Sequence, residues 1–73
     1  MPSVKTSAVV SSSPHGWEDA VRRAVERANQ TLAGLQEVEV TRLTAKLEGG
    51  KISEYRAHLK IHFILDTEYP IHE

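Results

Sequence analysis

Four histidines, a cluster of serines and two close carboxylates are the side chains of this sequence with chemistry to offer. The histidines are His15, His58, His62 and His72. His58 and His62 fall on one face of an alternating segment, yet four strand residues set them ~13 Å apart. Ligands of one metal ion sit ~2 Å from it, so the two cannot chelate within one chain. Surface or interface roles account for all four, and no metal site is assigned. Cysteine is absent, which removes thiolate metal sites and disulfides together. The hydroxyls of Ser11, Ser12 and Ser13 stand where a helix start explains them. Glu37 and Glu39 point the same way on one strand, as a solvated strand end would. No P-loop, GxGxxG or HExxH occurs, and Gly49-Gly50 reads as a turn. No catalytic residue emerges, so the chain is not read as an enzyme. Arg56 is the polar residue that stands out. It projects from mid-strand between Glu54 and His58, where its planar fork could hold an anion or pair with Glu54.

Positioning these side chains falls to four elements. Val4 to Val10 reads as a first strand, with Val4, Thr6, Ala8 and Val10 on one face. The Ser11-Ser12-Ser13 run punctuates it, and Ser13 followed by Pro14 marks a helix start by capping and fixed φ. Apolar Trp17, Ala20, Val21, Ala24, Val25, Ala28, Leu32 and Leu35 keep the spacing of an amphipathic helix, ending near Ala33 before Gly34. Its other face is charged, with Glu18–Arg22 and Asp19–Arg23 spaced as i, i+4 pairs.

A second strand runs from about Glu37 to Leu47. Val38 and Val40 share one parity while Leu43, Ala45 and Leu47 share the other, which requires an irregularity near Thr41-Arg42. Glu48-Gly49-Gly50-Lys51 then makes a tight hairpin. In the third strand Tyr55, Ala57, Leu59, Ile61, Phe63 and Leu65 alternate with Glu54, Arg56, His58, Lys60 and His62. Trp17 and Tyr55 are each in phase with an apolar stripe and are read as core. Residues 66–73 are read as an irregular tail.

The 73 residues form one α+β domain, 1–73, a three-stranded antiparallel sheet packed on one helix in βαββ order. A chain this short buries only ~60% of its unfolded surface, so its private core is marginal. Small domains without disulfides or metals find support in partner subunits, and one helix can cover only one face of the sheet. Free sheet edges also invite a second chain. The net charge of −1 offers no attraction to nucleic acid or an acidic membrane. The longest late apolar run, Phe63-Ile64-Leu65, is too short to span a bilayer, and the N-terminus lacks a signal-peptide pattern. These features place the chain in the cytoplasm.

Order and spacing together resemble the dodecin family. The residues that carry the resemblance are Ser12-Ser13-Pro14-His15-Gly16-Trp17-Glu18-Asp19-Ala20-Val21, Ala24 to Ala28, Thr31-Leu32, Val38-Glu39-Val40, Glu48-Gly49-Gly50-Lys51, Tyr55, and Leu59 to Leu65. They extend over roughly Val4 to Asp66. The resemblance implies a hollow homododecamer that binds flavins (riboflavin or FMN) at subunit interfaces and stores or buffers them. It also aligns this chain with the family's flavin site. The stacking Trp falls on Glu37, a Gln that bonds the flavin's pyrimidine edge falls on Arg56, and an Arg of the second strand falls on Thr44. Each departure weakens flavin binding, since a carboxylate has no π-face to stack. The expectation is therefore a dodecin-like shell of the subset lacking the stacking Trp, holding a small ligand with a degraded flavin site; the alternatives are a flavin-binding dodecin with a remodelled pocket and a scaffold whose interfaces bind ions.

Overall fold

The computed structural model describes residues 2–66 of the chain. Strand β1 (Pro2–Ser13) leads into helix α1 (Trp17–Thr31), followed by strands β2 (Leu35–Glu48) and β3 (Lys51–Asp66). The sheet order is β1-β3-β2 and both pairings are antiparallel. β3 is central because the tight hairpin sets it beside β2 and its alternation gives it one core face. Gly49 and Gly50, at φ 61° and 79°, supply the two positive φ values that a two-residue hairpin turn demands.

The parity change in β2 resolves as expected. The register slips between Val40 and Arg42, so Val38 and Val40 above the slip share a face with Leu43 and Ala45 below it. That common face is the helix side, where they lie opposite Ile61, Leu59, Ala57 and Tyr55 respectively. One extra residue at Thr41 thus keeps the apolar groups of a long strand on one side.

Three expectations for the N-terminal half are corrected. β1 does not stop at Val10 but continues through the serines, with Ser13 opposite Tyr55. The helix consequently starts at Trp17, with Gly16 as a cap that makes no side-chain bond, and not at Ser13-Pro14. Ser13 is held extended by the ladder. It still reaches the first turn, where its Oγ donates to Asp19 at 2.6 Å and accepts from the His15 N–H at 2.9 Å. As expected, Val4, Thr6, Ala8 and Val10 share one face, which is the far face, where Val4 and Val10 are exposed; Ser7, Val9, Ser11 and Ser13 are the β1 residues opposite the buried face of β3. Small serines suit this position because the helix approaches through the alanine stripe Ala20, Ala24 and Ala28. At its other end the helix stops at Thr31, two residues before the expected Ala33, with Leu32 already extended.

The core is thin. Its buried apolar residues, among those described, are Ala20, Ala24, Ala28, Ala57, Leu59 and Ile61, so that Leu59 and Ile61 alone bring large side chains to it. The helix packs mainly on β1 and β3, leaving Val40, Leu43, Leu47 and Ile52 exposed along the hairpin. The chain is also drawn out, 59 × 19 × 15 Å, with a radius of gyration of 15.6 Å. A compact chain of this length would have about 11 Å. The expected tail, 66–73, lies outside the described residues beyond Asp66, which itself ends β3.

Candidate ligand-binding site

The sheet face away from the helix carries the polar side chains, and the register places them in rows. Ser12, Arg56 and Thr44 form one row across all three strands. Val10, His58 and Arg42 form the next, and Ala8, Lys60 and Glu39 the one after it. Thr6, His62 and Glu37 follow. The bulge at Thr41 matters here too, since it turns Arg42, Thr44 and Lys46 onto the face that Glu37 and Glu39 occupy.

Two of the three residues expected to form a site therefore meet. Arg56 and Thr44 are directly opposed on neighbouring strands. Arg56 Nε also lies 3.5 Å from Glu54 Oε2, the pair that sequence neighbours on one strand face would make. The Ser12 hydroxyl, and then Arg56, hold the Glu54 carboxyl below its ordinary value, against an opposing effect of desolvation. Glu37 is elsewhere. It stands opposite His62, six positions along β3 from Arg56, which is ~20 Å of strand. A Glu37–Arg56 pair within one chain is ruled out by this spacing. The three positions can serve one ligand only if different subunits supply them.

Around Arg56 the face dips into an open depression of about 410 Å³, lined by Arg42, Thr44, Ala45, Lys46, Arg56 and His58. Arg42 and Lys46 are absent from the residues singled out in the sequence. The signal for them was present in the parity change at Thr41, which moves both onto the face of Arg56.

The histidines keep apart from one another. His62 has Nδ1 3.1 Å from Thr6 Oγ1 and Nε2 3.4 Å from Glu39 Oε1. His58 stands between Arg42 and Val10. No group of three metal-ligating side chains occurs among the described residues. None of the described helices is long and apolar enough to cross a membrane.

Trp17 departs from its expected core place. It is 37% exposed, at the first position of the helix. Its ring meets Tyr55 edge-on, with centroids 4.9 Å apart, and its Nε1–H donates to the Thr44 carbonyl at 2.9 Å. The single tryptophan is thereby bonded to the backbone of Thr44, the residue directly opposite Arg56.

Comparison with known proteins supplies the family context. The Dodecin family model matches residues 4–66. A dodecin from Streptomyces coelicolor is 37% identical, with a TM-score of 0.87 over 92% of this chain and 96% of its own. A dodecin from Streptomyces davaonensis is 32% identical, with a TM-score of 0.83 over 89% and 96%. The calcium dodecin of Mycobacterium tuberculosis, a calcium-chelating antigen with a novel calcium-binding site, is 28% identical. Its TM-score is 0.78 over 93% of this chain and 97% of its own. No curated protein matches the chain.

Proposed function

The chain belongs to the dodecin family, and from that premise we propose that it works as a homo-oligomeric shell that binds or stores a small ligand without catalysing a reaction. The thinness of its private core is the observation that carries this reading. Burial of one Leu, one Ile and four Ala cannot hold a 59 Å long hairpin domain on its own. Val40, Leu43, Leu47 and Ile52 lie exposed on the helix side, and β1 and β2 each keep an open edge. Copies of the same chain are the partner that would cover both, and twelve is the number the family resemblance implies. A cytoplasmic location completes the proposal.

The flavin site is degraded in this reading. Glu37 replaces the aromatic stacking surface, Arg56 stands at the Gln position and Thr44 at the Arg position. A carboxylate buried against a ring system loses hydration and gains no bond in return. Riboflavin titrated into the purified oligomer should give weak fluorescence quenching, and quenching at submicromolar protein would overturn the degraded site. The likeness to a calcium dodecin favours one further reading, an interface that binds ions. Calorimetry with calcium distinguishes it from a shell for organic ligands.

A further inference from the structure

Two of the three arginines of the helix are answered locally. Arg22 and Arg23 reach Glu18 and Asp19 at 3.1–3.5 Å. On the far face of the sheet the arrangement differs. Arg42, Lys46 and Arg56 converge with His58 on the depression described above, and no carboxylate lines it. Glu54 and Glu48 approach from its margin and take one cation each, Arg56 and Lys46, at 3.5 Å. Arg42 has no carboxylate partner among the described residues and lies directly opposite His58. It is diagonal to Arg56, a placement that sets the two stems about 7–8 Å apart. Glu54 answers Arg56 only in part, and an anion held between the two guanidiniums would relieve the repulsion that remains.

We infer that this depression is an oxyanion site, taking a ligand that bears a phosphate or carboxylate group. Arg42 and Arg56 each present a planar fork of donors that matches such a group. Thr44, directly opposite Arg56 and two positions from Arg42 along β2, offers its hydroxyl as a third donor, and Lys46 adds further positive charge to the lining. An open depression of about 410 Å³ admits the anionic head of a molecule while leaving the remainder directed outward. The inference rests on the shell reading and names the ligand class that the shell would hold.

Calorimetric titration of the intact protein with inorganic pyrophosphate at low ionic strength tests it, with citrate as the carboxylate arm and glycerol as a neutral control. Saturable binding of one or both anions, weakened by salt, is expected, and the preferred anion identifies the source chemistry. Trp17 fluorescence should respond, because its indole is bonded to Thr44. Arg42→Gln and Arg56→Gln should each weaken binding about ten-fold or more, the worth of a lost charge-assisted bond. Arg22→Gln, on the helix, should leave it unchanged. Absence of saturable binding by either anion overturns the site, as does an equal loss in Arg22→Gln. Native mass spectrometry of the same samples separates the two readings. A closed particle that takes up neither anion overturns the site alone, whereas a monomer that binds pyrophosphate supports the site and overturns the shell.

Discussion

Trp17 Nε1–H donates to the carbonyl oxygen of Thr44 across 2.9 Å, fastening the first turn of the helix to the lower half of β2. Without that bond the helix would touch β2 only lightly, since its packing is mainly on β1 and β3. Trp17→Phe keeps a ring against Tyr55 and removes the bond, for an expected loss of about 0.5–1.5 kcal/mol. Trp17→Ala also removes the edge-on contact and should cost roughly 2–3 kcal/mol. Urea unfolding at one fixed protein concentration checks both, since assembly makes stability concentration-dependent. Equal losses in the two variants would mean that the bond, and not the ring contact, holds this corner.

Acid should loosen the same corner. The Ser13 hydroxyl is the largest cause holding Asp19 below its ordinary value of 3.8, with Arg23, His15 and Arg22 assisting against desolvation. A carboxyl depressed in the folded state adds stability that is fully present above its unfolded value and is lost as pH falls through the lower folded one. Glu54, lowered from 4.5 by Ser12 and Arg56, behaves alike. Stability should therefore decline below about pH 4. Asp19→Asn should be less stable at neutral pH and less sensitive to acid below pH 4. An unchanged acid slope would remove Asp19 from the explanation.

The two faces of β3 should respond differently to truncation. Leu59 is 2% exposed between Val9 and Val40, so Leu59→Ala should cost about 2–5 kcal/mol. His62→Ala on the far face loses contacts with Thr6 and Glu39 and should cost under about 1 kcal/mol. A His62→Ala variant that fails to assemble would identify the polar face near His62 as a subunit contact.

Restoring the aromatic surface tests the alignment of Glu37. Glu37→Trp combined with Arg56→Gln should tighten riboflavin binding, by roughly two- to ten-fold for each stacked ring. The same Arg56→Gln change should weaken pyrophosphate binding, so one substitution moves the two ligands in opposite directions. Riboflavin affinity that stays flat in the double variant would show that Glu37 does not occupy the stacking position.

Much of the sheet was legible in the residues because its signals are local. Alternation from Tyr55 to Leu65, the Gly49-Gly50 turn and the phase slip at Thr41 each depend on nearby positions alone. The Ser13-Pro14 helix start misled because the pattern of a cap is also the pattern of a strand end. What decides between them is the pairing of Ser13 with Tyr55, 42 positions away and invisible to local spacing. The inward face of β1 was missed for a related reason. Its serines are buried only because alanines on the helix come close, a fact of packing and not of hydropathy. Arg56 and Thr44 were both named through the family resemblance, and the β2–β3 register sets them opposite each other. Arg42 joins them through the same register without having been singled out, whereas Glu37, grouped with them by the resemblance, lies six positions along β3.

The mass of the purified protein under native conditions bears most directly on the shell. At micromolar concentration, native mass spectrometry or light scattering should find a closed particle twelve times the mass of the 8.2 kDa chain, with no folded monomer beside it. A well-folded monomer with cooperative unfolding and no larger species would contradict the shell, because it would mean that Leu59, Ile61 and a stripe of alanines suffice to hold the fold.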